Sequence, residues 1–277
     1  MALTENGLAD LAERIVGVPG VVGVVLGGSR ARGTHTPDSD TDVGVYYRAP
    51  LDVDRLGRLA KSIAGPSATV TEPGGWGPWV DGGGWLTIDG SAVDWIYRDL
   101  DRVRRVCTDA GQGRYGFHQQ GGHPLGFPDF AYLGEVALGR ILADPTGELT
   151  DLQAEVRVYP RALAEALVEG LWEADFLVGL ARKAVTRGDT AYVAGCLFRV
   201  MGVCAHGLHG AARRWLINEK GAVAAAAALP GAPQRFRERV DETFAGLDRD
   251  PLRLTAAIDT AADLVLDTAD ACAMMLR

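Results

Sequence analysis

Residues 26–47, LGGSRARGTHTPDSDTDVGVYY, constrain the fold more than any other stretch of this 277-residue chain. An apolar run over 21–26 leads into the stretch and predicts a buried strand. Two glycines follow at 27–28, and the Pro-Asp-Ser of 37–39 is a turn signal. The second apolar run, VGVYY over 43–47, predicts another strand. The sequence therefore predicts two strands joined by a short, glycine-rich and charged connection.

Two aspartates, Asp40 and Asp42, stand at the head of the second apolar run. Because side chains alternate between the two faces of a strand, we expect both carboxylates on the same face. Like charges this close are costly unless a cation lies between them, and Mg²⁺ commonly uses one or two carboxylates together with substrate phosphates. Gly28 lets the backbone approach a ligand closely, and Ser29 begins a predicted short helix whose N–H groups suit a phosphate. The stretch thus predicts a metal site beside a phosphate site.

The order Gly-Gly-Ser, ten residues, Asp-Thr-Asp and an apolar run resembles the signature of the polymerase-beta-like nucleotidyltransferase superfamily. The resemblance implies a third carboxylate on a later strand, and Asp94 in SAVDWIYRDL stands in such a place. It also implies transfer of a nucleoside monophosphate from an NTP to a hydroxyl, with release of pyrophosphate. The alternative interpretation is a glycine-rich turn followed by aspartates that cap the local backbone.

The resemblance also implies roles for individual residues. Asp40 and Asp42 would bridge two Mg²⁺ ions, and Asp94 would hold the ion nearer the acceptor and take the acceptor's proton. The segment KGAVAAAAALP, which begins at Lys220, resembles a pattern in the helical domains of aminoglycoside adenylyltransferases that reaches the triphosphate. The alternative for Lys220 is a solvated lysine at a helix end. Arg30 or Arg32 would add positive charge at the phosphates, and the alternative is that one of them only solvates the turn. The predicted nucleotide-binding residues are Gly28, Ser29, Arg30, Arg32 and Lys220.

The net charge of −8 argues against a nucleic-acid substrate, which needs a basic surface to neutralise phosphates. It favours a small or cationic acceptor. The resemblance is greatest to antibiotic nucleotidyltransferases acting on aminoglycosides or lincosamides, and it implies ATP as the NTP and a role in antibiotic resistance. Two alternatives stay open: a protein-directed AMP transferase of the minimal-nucleotidyltransferase and antitoxin type, and a non-catalytic nucleotide-binding module.

Residues 73–85, PGGWGPWVDGGGW, hold three tryptophans among six glycines and two prolines. Glycine at this density predicts a loop. Trp76 and Trp79 are predicted to bind substrate as flat walls, because indole faces attract cations. The alternative is that the tryptophans form a small core beneath the loop, and Trp85 is expected in the core because WLTI reads as a strand.

A hairpin is predicted from 86–88 and 92–97 around Asp89-Gly90, with Asp94 on its second arm. The glycine-rich segment 111–128 is interpreted as a loop. Within the apolar run 130–142, Glu135 is a candidate general base, since burial raises the pKa of a carboxyl. The alternative for Glu135 is a helix-surface position near Arg140.

Strand signals end beyond residue 160, where alanine and leucine dominate at helical spacing. The predicted fold class is α+β, with an N-terminal mixed-sheet nucleotidyltransferase domain (1–150) followed by an all-helical bundle (151–277). No run approaches the roughly 18 apolar residues of a membrane helix. The four cysteines show no zinc spacing, which favours a reduced, cytoplasmic protein. The oligomeric state is left open.

Overall fold

The computed structural model describes residues 4–36 and 38–277. The chain folds into two compact units. The first contains Met1–Asp109 and Tyr115–Val158, and the second contains Ala110–Arg114 and Tyr159–Arg277. The predicted boundary at residue 150 would cut helix α6 (Glu148–Val156), which belongs wholly to the first unit.

The first unit is a mixed sheet with helices. Its elements are α1 (Glu5–Val16), β1 (Val21–Leu26), α2 (Gly28–Ala31), β2 (Thr41–Tyr47), α3 (Val53–Ala64), β3 (Gly83–Ile88), β4 (Ser91–Asp99), α4 (Leu100–Gly111), β5 (Phe117–Gln120), β6 (His123–Pro128), α5 (Ala131–Leu138), β7 (Arg140–Ala143) and α6. Five strands form one sheet in the order β3-β4-β2-β1-β7. Only the β2–β4 pair is parallel among these neighbours. The predicted mixed sheet is confirmed.

Strand alternation decides which face of this sheet is buried. The odd-numbered residues of β2 and β4, such as Val43 and Trp95, are buried in a core that also contains residues of α1 and α3. Both helices are amphipathic, and α1 is capped by Thr4, whose side chain accepts a hydrogen bond from the N–H of Gly7. The even-numbered residues face the other side, which carries the candidate site.

The predicted β3–β4 hairpin is confirmed. Its two-residue turn has both central residues at positive φ, 50° at Asp89 and 78° at Gly90, as the twist of a tight hairpin requires. The interpretation of 111–128 as a loop was wrong, because β5 and β6 pair within it as a two-stranded antiparallel sheet. The predicted turn at 37–39 includes Pro37, which lies outside the described residues.

The second unit is helical. Its main helices are α7 (Arg161–Glu169), α8 (Trp172–Ala184), α9 (Thr190–Ala211), α10 (Ala222–Ala227), α11 (Phe236–Ala245) and α12 (Pro251–Leu276). The described residues after Val158 include no strand, so the predicted α+β class with a helical C-terminal part is confirmed. Helix α9 alone, in the described part of the chain, has the length and apolarity of a membrane span. Most of it is buried within the helical core, as in core helices of soluble proteins.

Candidate active site

Asp42 and Asp94 lie side by side on the face of the sheet opposite the core. They are register partners on the parallel strands β2 and β4. Their neighbours along the strands, Thr41, Val43 and Val93, are buried on the other face. Strand alternation, read from the sequence, therefore gives the correct orientation for both aspartates.

Asp40 does not belong to the strand, because β2 begins at Thr41. The expectation that Asp40 and Asp42 alternate within one strand is corrected on this point. Asp40 is exposed and lies in the connection just before β2. The Arg30 guanidinium donates to the backbone carbonyls of Asp40 at 3.1 Å and of Ser39 at 2.5 Å. Arg30 thus holds the connection that carries Asp40.

The carboxylates repel one another. Burial is the first cause that raises the pKa of Asp42, followed by the negative charges of Asp40 and Glu135, while the nearby arginines lower it by less. Burial also raises the pKa of Asp94 to about 6, and the charges of Asp42 and Asp40 add to this effect. The site is therefore short of positive charge.

Gly28 provides the space that the Asp42 carboxylate fills. Gly28 has φ of +60°, and a Cβ added there would lie 1.7 Å from Oδ2 of Asp42. The neighbouring Gly27 donates its N–H to the Asp42 carbonyl at 2.8 Å, and a Cβ there would make only ordinary contact. Ser29 follows in α2, the short helix predicted after the glycines. The glycine turn and Asp42 thus pack as one structure.

The donor set of this site fits a hard divalent cation. Carboxylate oxygens are the ligands that Mg²⁺ prefers, and the raised pKa values reflect a charge that a cation would neutralise. Among the described residues, no group of three or more His, Cys, Asp or Glu side chains is already arranged around one metal position. The fit therefore rests on the in-register pair Asp42 and Asp94, with Asp40 beside them.

A pair of stacked indoles, one of them exposed, lies next to the carboxylates. Trp85 on β3 is the register partner of Asp94, and 71% of its surface is exposed. Its ring stacks on Trp76, with centroids 4.4 Å apart and planes 17° apart. The expectation that Trp85 is a core residue was wrong, because the alternation of β3 buries Leu86 and turns Trp85 outward.

Trp79 has a different environment from Trp76 and Trp85. Its ring stacks on His118 with centroids 3.6 Å apart and also lies near Phe127 and Tyr132. The guanidinium of Arg102 lies over the same ring, 5.8 Å from its centroid. These contacts favour the alternative in which Trp79 packs in a small aromatic core beneath the loop. Its predicted substrate contact stays a prediction.

Two residues that the sequence analysis missed hold the tryptophan-rich loop. The buried Asp81 accepts from the hydroxyl of Tyr47 at 2.8 Å and from the N–H of Gly74 at 2.8 Å. The Gln120 side chain donates to the Trp76 carbonyl at 2.6 Å and accepts from the N–H of Trp79 at 3.0 Å. Neither residue belongs to a recognisable motif, and both act on residues distant in sequence.

Glu135 binds the buried Arg98 through both carboxylate oxygens, at 2.6 and 2.7 Å. Arg98 also donates to the carbonyls of Val80 and Tyr97. Burial lowers the pKa of the Arg98 guanidinium, but Glu135 more than compensates, and the net shift is upward. Arg140 pairs with Glu5, so it is not the ion-pair partner of Glu135. The bidentate pairing does not favour Glu135 as a general base, which stays an untested prediction.

Lys220 belongs to the second unit, just before α10. Its side chain is exposed, and its backbone N–H donates to Oδ1 of Asn218 at 2.9 Å. Its predicted contact with phosphate stays a prediction. Arg32 is exposed in the first unit, and its charge lowers the pKa of Asp42.

Residues 8–68 match the family of nucleotidyltransferase domains. This segment is therefore similar to nucleotidyltransferase domains. The match supports nucleotidyl transfer as the enzyme class and implies an NTP substrate, without identifying the metal ion, the NTP or the acceptor. The matched segment includes Gly28, Ser29, Asp40 and Asp42, and it ends before Asp94.

Among solved structures, a nucleotidyltransferase-like protein from Exiguobacterium sibiricum 255-15 is similar over 95% of this chain and 74% of its own. The sequence identity is 13% and the TM-score is 0.45. Similarity at this level does not transfer an activity or a ligand. No curated protein matches the sequence significantly.

Proposed function

We propose that the protein transfers a nucleoside monophosphate, AMP from ATP, to a hydroxyl of a small cationic molecule and releases pyrophosphate. One observation carries the proposal: Asp42 and Asp94 are register partners on two parallel strands, on the face opposite the core and beside the glycine turn that ends β1. The domain match over 8–68 supports the same class of reaction.

Asp40, Asp42 and Asp94 would hold Mg²⁺, with two ions expected. When bound, the ions would neutralise charge on the reacting phosphate and on the two oxygens that exchange there. The mutual repulsion of these carboxylates supports the assignment, because an electrostatic deficit of this kind is relieved by a cation. Functional sites commonly contain ionisable residues with strongly shifted pKa values, whose charges destabilise the protein until the ligand is bound.

Gly28 and Ser29 would bind the β- and γ-phosphates through backbone N–H groups and the serine hydroxyl. Arg32 would add positive charge there, whereas Arg30 would act mainly by fixing the connection before β2. Lys220 is a further phosphate-binding candidate. Fixed donors and charges of this type stabilise phosphoryl transition states by positioning and electrostatics.

The reaction balances without a covalent enzyme intermediate. The acceptor oxygen forms a bond to the α-phosphorus while the bond to the bridging oxygen breaks, and pyrophosphate leaves with that electron pair. Asp94 is one strand further from the glycine turn than Asp42. It is therefore our candidate for the residue that accepts the hydroxyl proton.

The negative charge of the protein supports a cationic acceptor. The chain has a net charge of −8, and carboxylates crowd the site, so a cationic acceptor is attracted and an anionic nucleic acid is repelled. An aminoglycoside-like antibiotic meets this description. ATP as the NTP rests on the resemblance to antibiotic adenylyltransferases.

A screen of acceptors tests the proposal. The protein is incubated with Mg²⁺, each of the four NTPs and a panel of aminated, hydroxylated small molecules, and products are identified by mass together with pyrophosphate release. We expect acceptor-dependent release that is greatest with ATP. Modification of proteins alone, or of no acceptor at all, would contradict the small-molecule assignment.

Asp42→Asn is the matched control for this screen. We expect pyrophosphate release to fall at least about 100- to 1,000-fold, the range for loss of one electrostatic contact to a transition state. The fold should persist, since the change removes one of several repelling charges. Undiminished release by this variant would refute the assigned site.

A further inference from the structure

Trp85 presents a large exposed aromatic surface at the edge strand β3. One face of its ring is stacked on Trp76. Gly83 at the start of β3 lets the strand and the Trp76 ring pack closely, because a Cβ there would lie 1.8 Å from the Trp95 carbonyl oxygen and 3.0 Å from the ring of Trp76. Trp76 is itself held through its carbonyl by Gln120. The loop backbone that carries Trp76 is thus held in place, and stacking on Trp76 orients the exposed indole of Trp85.

The sheet aligns this indole with the carboxylates. Asp94 is the register partner of both Trp85 on β3 and Asp42 on β2, so the three form one row across three strands. Gly27 continues the row through its hydrogen bond to the Asp42 carbonyl. Adjacent strands lie about 4.8 Å apart, so about 10 Å separates the backbones of Trp85 and Asp42.

The two ends of this row differ. The glycine turn, where the proposed function seats the leaving pyrophosphate, lies at its β1 end, and Trp85 lies at its β3 end. In phosphoryl transfer the attacking and leaving oxygens are roughly in line with the phosphorus between them. If the phosphorus lies near Asp42 and Asp94, the attacking hydroxyl must therefore arrive from the side of Trp85.

We propose that Trp85, supported by Trp76, is the platform that binds the acceptor, and that it selects a cationic ring whose face packs on the indole. This inference rests on the proposed function. A cation over an indole face is attracted by the ring quadrupole, and Asp94 beside it adds negative charge. Trp85 is a binding residue and takes no part in bond making.

Three variants test the platform. Trp85→Ala removes the indole, Trp85→Phe keeps a flat ring, and Trp172→Ala removes a comparably exposed tryptophan, 68% exposed, from the second unit. Glucosamine serves as the cationic ring probe, glucose as its neutral counterpart, and ATP with a methylene group between the α- and β-phosphorus as the nucleotide probe with Mg²⁺. Binding is followed through the indole N–H signals of ¹⁵N-labelled protein, which contains six tryptophans.

We expect glucosamine, and glucose far less, to shift the Trp85 signal. Trp85→Ala should weaken glucosamine binding about 2- to 30-fold, as loss of a cation–π contact implies, with partial recovery in Trp85→Phe. Trp172→Ala should bind like the wild type, and the Kd of the ATP analogue should change little in any variant. Unaltered thermal midpoints show that the exposed substitutions leave the fold intact.

Two results would overturn the platform while sparing the proposed function. One is glucosamine binding that does not depend on Trp85, and the other is an equal loss of affinity for the ATP analogue, which would make the indole a nucleobase platform. By contrast, a wild-type protein that binds no Mg²⁺–ATP analogue refutes the proposed function, and the acceptor role with it.

Discussion

One face of the β2–β4 strand pair carries two charged regions of opposite character. At one end, Asp42 faces Asp94, and the pKa of each carboxyl is raised by burial and by its negative neighbours. Four residues further on, Tyr46 faces Arg98, whose guanidinium donates to both carboxylate oxygens of Glu135 from Nε and Nη2. The same two strands thus hold a carboxylate pair whose negative charges are not neutralised (the unbalanced end) and an ion pair whose charges neutralise each other (the balanced end).

The difference separates the carboxylates that we propose bind the metal from the charges that stabilise the fold. Arg98 joins β4 to α5 and to the tryptophan-rich loop through its hydrogen bonds to Glu135 and the Val80 carbonyl. Asp42 and Asp94 form no comparable pairing with a cation, and their repulsion costs stability. Substitutions at the two ends should therefore act in opposite directions on stability.

The largest effect on stability is expected at the balanced end. Arg98→Met should lower the free energy of unfolding by about 3–5 kcal/mol, because it leaves Glu135 without its buried partner. Urea unfolding followed by tryptophan fluorescence measures this loss. A change below about 1 kcal/mol would mean that the pair contributes little net stability, as some buried ion pairs do.

Glu135→Gln is the control that separates structure from catalysis at this end. The amide keeps the shape of the side chain but loses the charge that balances Arg98. If Glu135 only supports the fold, stability falls while kcat per folded molecule is retained. A stable variant with a kcat reduced by two orders of magnitude would instead establish Glu135 as the general base.

A smaller effect, on activity more than on stability, is expected beside the carboxylate pair. Gly28→Ala should reduce kcat/KM about 100-fold, equivalent to about 2.7 kcal/mol, because its Cβ would collide with the Asp42 carboxylate. Gly27→Ala is the matched control, since its Cβ would lie 3.6 Å from the nearest atom of Asp42. Equal activity of the two alanine variants would show that the carboxylate does not work from its observed position.

The smallest effect is a pH-dependent gain of stability in Asp94→Asn. The raised pKa of Asp94, about 6 against an ordinary 3.8, favours the fold below pH 3.8 and loses that contribution as pH rises through 6. In metal-free protein at pH 7 the variant should therefore be more stable than the wild type by about 1 kcal/mol, after allowance for solvent screening. The gain should vanish below pH 4.

Thermal unfolding at pH 4 and pH 7 in the presence of a chelator measures this difference. Asp89→Asn removes one negative charge from the β3–β4 turn and controls for net charge. Added Mg²⁺ should stabilise the wild type more than Asp94→Asn. A destabilised Asp94→Asn at pH 7 would remove the contrast between the two ends of the strand pair.

Local periodicity was enough to predict β1, β2, the β3–β4 hairpin and the orientation of Asp42 and Asp94. The two apolar runs around the glycine turn gave β1 and β2, and the Asp89-Gly90 dipeptide gave the hairpin that presents Asp94. These features depend on residues close in sequence, so their physical causes, side-chain alternation and turn geometry, are visible in the sequence. The helical spacing after residue 160 gave the second unit for the same reason.

Only the tertiary structure decided which tryptophan is exposed and which charges are paired. The register of β3 with β4 places Trp85 beside Asp94. The β5–β6 hairpin supplies His118, which stacks on the ring of Trp79, and Gln120, which holds the loop of Trp79. Glu135 pairs with Arg98, 37 residues away in sequence, rather than with the nearby Arg140. Which of these contacts form depends on all the residues that the folded sheet brings close together. Composition and spacing along the chain therefore do not determine the partners locally.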